Sequence, residues 1–118
     1  MVAPLAEYGL LVPTAFNDGQ PLSAALRARI ENLILDALGG FTVARGLEGA
    51  WVAPDRIIYR DAVDAYILAA ADEGIVLRLA KYIGRLLRQR SVYIRLPSNH
   101  AVILAIGADP EQDEAQSA

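Results

Sequence analysis

The sequence contains no cysteine and a single histidine, His100. Disulfide scaffolds, iron–sulfur clusters and thiolate zinc sites all need cysteine, and a multi-histidine metal centre needs several imidazoles. These classes are excluded. No apolar run approaches the roughly 20 residues needed to cross a bilayer. The longest, 101–108 counting Gly107, is the size of a strand. The first dozen residues lack a basic segment, and Pro4 and Glu7 interrupt them before Pro13. No secretory leader is expected, so the expected location is the cytoplasm and no membrane partner is expected.

Charge of either sign is also in short supply. The chain carries 11 cations and 14 anions, a net charge of −3. Four anions (Asp109, Glu111, Asp113 and Glu114) fall in the last ten residues, leaving 11 cations against 10 anions in the rest. A near-neutral body attracts a polyanion weakly, so nucleic acid is not expected as a partner. Ten of the 11 cations are Arg, which reads as the coding bias of a GC-rich bacterial genome. What the chain does have is apolar residues, 54% of 118. That is too many for disorder and enough for one core without a staple. One domain over residues 1–108 is expected, followed by a disordered acidic tail over 109–118.

The hydrophobic pattern alternates between the two regular periods. Residues 8–16 read as a strand that Pro13 bends or ends, and Asn17-Asp18-Gly19 is turn chemistry. Leu22, Leu26, Ile30, Leu33, Ile34 and Ala37 form one helical stripe. Pro21 or Ser23 opens that helix and Gly39-Gly40 stops it. Arg27, Arg29, Glu31, Asn32 and Asp36 cover its other faces. Residues 41–47 alternate as a strand whose end Gly46 and Gly49 weaken, with a bulge expected there. Pro54-Asp55 turns the chain into a long strand over about 56–70. Asp72 and Glu73 suit the start of a second helix with its stripe at Ile75, Val76, Leu79, Ala80, Ile83, Leu86 and Leu87. Gly84, inside it, suggests a close packing contact. Residues 91–96 alternate as a strand, Pro97-Ser98-Asn99 turns, and the apolar run 101–106 reads as a strand buried on both faces.

This order predicts an α+β fold, a ferredoxin-like βαββαβ sandwich with one additional C-terminal strand. Both helices lie on one face of an antiparallel sheet, with strands 1 and 3 central. No strand offers a cleanly polar side, so the uncovered face is apolar and larger than a monomer usually leaves wet. A homo-oligomer, dimer or trimer, is expected through that face or through the edge of the last strand, unless the last strand or a loop folds back over it.

The most distinctive segment runs from Gly39 to Trp51, GGFTVARGLEGAW. It lacks the ending of a Walker loop and is not a dinucleotide fingerprint. Its glycines allow backbone amides to approach an anion, with Arg45 as counter-charge; a helix stop, bulge and packed Trp explain the same residues. A ligand cleft beside this strand would use Arg45 and Trp51, with Tyr59 and Arg60. The spacing of Gly40, Thr42, Gly49 and Trp51 is similar to a G-x-T then G-x-W pattern in a group of uncharacterised bacterial ferredoxin-like proteins, over residues 8–96. That resemblance implies fold and says little of role. Residues 40–49 also resemble a segment of PII-type and PII-like trimers. In that family the end of strand 2 and its loop help bind a nucleotide phosphate between subunits. The resemblance implies Thr42, Arg45 and Gly46 near such a ligand. The long effector loop of that family is absent, with about ten residues between the strands.

Other candidates have simpler readings. His100 follows a turn and suits a surface loop as well as acid–base chemistry. Asp61 and Asp64 are three apart on a strand and point to opposite faces, so they do not share a site. Asp72 and Glu73 suit a helix cap. The basic stripe Arg78, Lys81, Arg85 and Arg88, continued by Arg90 and Arg95, suits a solvated helix face. The sequence therefore points to a self-associating ligand- or protein-binding module, with a possible small anionic ligand between subunits. It points to no catalytic constellation, metal or cofactor. The alternative is a small dimeric α/β-barrel-type enzyme with a sheet-lined pocket, in which His100, Tyr66 and Trp51 line the cavity.

Overall fold

The computed structural model describes residues 4–107. The elements are β1 (Ala6–Pro13), α1 (Ala24–Leu38), β2 (Thr42–Val52), β3 (Ile58–Ala70), α2 (Glu73–Leu86), β4 (Ser91–Leu96), a short 3₁₀ turn (Pro97–Asn99) and β5 (His100–Ala105). They build one antiparallel sheet in the order β2-β3-β1-β4-β5. The first four strands carry the ferredoxin-like order with β1 and β3 inside, and β5 adds an edge beside β4. The expected acidic tail lies outside the described residues.

Local chemistry sets the element ends. The Ser23 hydroxyl accepts from the Leu26 amide at 3.0 Å and caps α1. Gly39 stops the helix at φ 84, a left-handed conformation that glycine adopts without strain. Asp72 accepts from the Gly74 amide at 2.8 Å and opens α2. β1 begins and ends earlier than its apolar run suggests, because Thr14–Phe16 leave the strand for the Asn17–Gly19 turn. That turn is closed by Gly19 N–H to Phe16 C=O at 2.9 Å.

Strand alternation sends Tyr8, Leu10, Val12, Tyr66, Leu68, Val92 and Ile94 under the helices, where Ile30, Ile34, Val76, Ile83 and Leu87 meet them. Losing one of these, as in Ile34→Ala, costs about 2–5 kcal/mol through lost transfer and a residual cavity. Gly84 makes the close contact its position suggests. A Cβ there would run into Ile106 Cδ1 and come within 3.0 Å of Val92 Cγ1.

Two expectations need correction. The run 101–106 is not buried on both faces: β5 is an edge strand, and Ile103 is 74% exposed. A continuous apolar run reads as a central strand, but here half of its side chains stand on the sheet face that no helix covers. The bulge expected at the glycines of the strand read over 41–47 is present, but the strand does not end at residue 47. It bulges between Ala44 and Leu47 and continues to Val52, so only residues 53–57 connect β2 to β3. The pairing Leu47↔Val63 through Val52↔Ile58 forms a two-stranded arm beyond the helices. Trp51 and Ile58 on it are 53% and 60% exposed.

Candidate functional site

Cross-strand register defines the uncovered sheet face. Directly paired residues share a side, so Thr42, Ala44, Leu47, Gly49 and Trp51 of β2 align with Ile67, Ala65, Val63, Asp61 and Tyr59 of β3. Glu7, Gly9 and Leu11 of β1 continue this face, followed by Tyr93 and Arg95 of β4 and by Ala101 and Ile103 of β5. Leu47, Trp51, Tyr59, Ile67, Tyr93 and Ile103 are all exposed on it. No loop or strand among the described residues folds over them. The expectation of two helices on one side and an apolar bare face on the other holds.

The distal arm presents an aromatic pair on that face. The rings of Trp51 and Tyr59 stack at 5.0 Å between centroids and 22° between planes. The Trp51 indole N–H donates to Asp61 Oδ2 at 3.2 Å, which fixes the ring across the strands. At the tip, the Ile57 amide donates to Asp55 Oδ1 at 3.0 Å, closing the Pro54-Asp55 turn.

The bulge organises a second cluster on the helix side. Arg45 and Gly46 together oppose Asp64, and Gly46 has φ 73. The Gly46 amide donates to Asp64 Oδ1 at 3.0 Å, and Arg45 Nη1 reaches Asp64 Oδ2 at 3.4 Å. Arg45 Nη2 lies 2.7 Å from Glu31 Oε2, and that same oxygen accepts the Tyr66 hydroxyl at 2.6 Å. Phe41 packs its ring edge-on to Tyr66 at 5.4 Å. Burial alone would raise the Glu31 carboxyl, but hydrogen bonds from Tyr66 and Arg45 outweigh it and hold the group below its ordinary value. Burial first, and then the bond to Glu31, push the Tyr66 phenol up to about 12.

The six residues singled out from sequence therefore divide. Thr42, Trp51 and Tyr59 stand on the bare face, Arg45 and Gly46 on the helix side, and Arg60 on the other side of the arm, paired in register with Ala50. Within one chain they do not surround a common cavity. Arg45, expected as counter-charge for a ligand, already faces two carboxylates. Asp61 and Asp64 do point to opposite faces. His100, Tyr66 and Trp51 are also separated: Tyr66 is buried under α1, Trp51 is on the edge strand β2, and His100 begins the opposite edge. Among the described residues no group of three His, Cys, Asp or Glu side chains is placed to hold a metal ion, and no helix is long and apolar enough to cross a membrane.

One residue on the bare face was assigned elsewhere by sequence. Proximity in sequence groups Arg95 with the basic stripe of α2, but alternation with the buried Ile94 turns it to the opposite side of the sheet. It lines an open cleft of about 380 Å³ with Glu7, Gly9, Ile67, Pro97 and Ser98. The available signal was its place in register beside Tyr93 and opposite a glycine, not its proximity in sequence to other arginines.

Comparison with known proteins places the fold and stops there. No protein-family model matches the chain, and no curated protein sequence matches it. Solved structures do. A phage SAM lyase in complex with S-methyl-5'-thioadenosine superposes with a TM-score of 0.69 at 12% identity, covering 89% of this chain and 92% of that one. CutA1, a divalent cation tolerance protein, from Thermus thermophilus gives 0.53 at 11% identity over 95% and 93% of the two chains. CutA1 from Oryza sativa gives 0.55 at 12% identity over 94% and 87%. The chain thus has a ferredoxin-like α+β fold of the kind these small proteins share.

Proposed function

We propose that this protein is a self-associating binding module whose copies meet through the bare sheet face and the β2–β3 arm, with a small ligand held where they meet. The observation that carries this reading is the arm. Leu47, Trp51, Val52, Ile57, Ile58 and Tyr59 are all large, apolar and exposed on a ribbon that no helix among the described residues covers. A two-stranded ribbon is marginal alone in water. Together with Ile67, Tyr93 and Ile103 the arm residues make an exposed apolar surface of the kind that marks an interaction site. A second copy offers the same apolar face, and burial of both is favourable at roughly 25 cal/mol per Å² before the costs of association. Sedimentation velocity across a micromolar concentration series tests this: a dimer or trimer supports it, and a single-copy species throughout refutes it.

A second reading is favoured by one finding. The phage SAM lyase matches over nearly the whole of both chains, and its structure holds S-methyl-5'-thioadenosine. On this reading the module is an enzyme with a sheet-lined pocket whose ligand is a thioether nucleoside. A thermal-shift and calorimetric titration with S-methyl-5'-thioadenosine decides it: saturable binding supports the enzyme reading, and none removes it.

A further inference from the structure

The bare face carries one cation among its described strand residues, Arg95, with Ile67 and Glu7 lining the cleft beside it. Gly9 lies directly opposite in register on β1. With no side chain there, the Arg95 stem and guanidinium lie across the β1 backbone: a Cβ on Gly9 would sit 3.4 Å from Arg95 Nε. Laid over Gly9 in this way, Arg95 lines the 380 Å³ cleft together with Ile67, which pairs with Gly9 from the other side. Pro97 and Ser98 close one end, with Ser98 held at φ 67 and ψ 27, a left-handed conformation uncommon for a residue with a Cβ. Among the described residues no carboxylate lies within 4.0 Å of Arg95, whereas Arg45 has two.

From this geometry we infer that the cleft beside Arg95 is a binding site for a small organic anion. The inference rests on the reading of the bare face as the surface between copies. Covering that face takes the guanidinium out of water with Glu7 in the same cleft but no carboxylate of the described residues within 4.0 Å, and a buried cation left without a close partner is destabilising. An oxyanion in the cleft supplies the counter-charge through charge-assisted hydrogen bonds. The cleft is at the small end of ligand pockets. Glu7 lines the same cleft two residues along β1 from Gly9. Its negative charge opposes a second anionic group on the ligand and accepts a hydrogen bond from a hydroxyl or amine. Ile67, Leu96 and Pro97 offer apolar contact. The ligand class is therefore a compact monoanion with an adjacent hydrogen-bond donor and an apolar body, not a polyphosphate.

Mandelate has these three features and serves as the probe, with inorganic phosphate as a more highly charged comparison. In ¹⁵N-labelled full-length protein, added mandelate should move the Gly9 and Ser98 amide signals and the Arg95 Nε–H signal. Arg95→Gln should weaken binding about tenfold or more. Glu7→Gln should keep mandelate binding and allow phosphate to bind better than it does to the unaltered protein. Signals that stay still, or an Arg95→Gln variant that binds equally, overturn the site. Light scattering on the same samples separates the two claims. Binding by a single-copy species leaves the cleft and refutes the meeting of copies. An assembled particle that ignores mandelate keeps the assembly and overturns the cleft. The cleft is also overturned if Arg95→Gln dissolves an assembly that binds no mandelate, because a partner's carboxylate then occupies the site.

Discussion

Glu31 on α1 accepts the Tyr66 hydroxyl of β3 at 2.6 Å through the same oxygen that faces Arg45 of the bulge at 2.7 Å. One carboxylate thus joins a helix, a central strand and the base of the arm. Asp64, 5% exposed, holds the other side of the bulge through the Gly46 amide. The cluster sits at the bulge from which the arm extends.

Removing one bond from the cluster should be felt in stability. Tyr66→Phe keeps the ring against Phe41 and deletes a hydrogen bond to a charged group, at a cost of about 1.5–3 kcal/mol. Urea unfolding of the variant against the unaltered protein measures it, and an unchanged midpoint would show that the bond adds nothing.

The same cluster sets the acid limit. The folded Glu31 carboxyl titrates below its ordinary value of 4.5. Its contribution is complete above that value, declines as pH falls below it, and is gone once pH passes the lower folded value. Glu31→Gln should therefore flatten the fall in stability with acid below pH 4.5, as read from thermal midpoints between neutral and acidic buffers. An acid limb of the same slope would contradict it.

At alkaline pH the sign reverses. Tyr66 titrates at about 12 when folded against 10.0 in the unfolded chain. The neutral phenol therefore contributes stability in full below pH 10, and this is lost as pH rises towards 12. Absorbance titration of tyrosinate should show a late-ionising phenol that disappears in Tyr66→Phe, and a titration with no such difference would count against the buried bond to Glu31.

Gly84→Ala gains about 1 kcal/mol in helix propensity but forces a Cβ against Ile106 and Val92. Overpacking of this kind costs typically 1–3 kcal/mol. A net loss of stability on chemical denaturation is expected; a more stable variant would mean that the Ile106 side chain swings aside without cost.

Much of the fold was legible because its signals are local. Two apolar stripes, the Ser23 and Asp72 caps and the Gly39 stop each lie within a few residues of one another, and their order leaves few topologies open. The bare apolar face followed from the same counting. The candidate site was harder because its contacts are remote in sequence. Arg45 pairs across 14 residues with Glu31 and across 19 with Asp64, and nothing local distinguishes Glu31 from the other polar residues of α1. Gly46 and Gly49 signal the bulge but not the strand's continuation to Val52, because a glycine at positive φ serves a bulge and a stop alike. The run 101–106 looked buried because composition reports how apolar a strand is, not whether anything lies against it. Sequence proximity sets Arg95 with the arginines of α2, whereas register sets it opposite Gly9 and beside Tyr93 on the bare face.

Whether copies of the chain meet through the bare face is tested most directly by multi-angle light scattering on the unaltered protein and on Trp51→Ser/Ile58→Ser, in which two exposed arm residues become polar. The unaltered protein should elute at two or three times 12.7 kDa, and the variant, with an unchanged circular dichroism spectrum, should fall towards one. A mass of 12.7 kDa for the unaltered protein at every micromolar concentration, or an assembly that survives both substitutions, would contradict it.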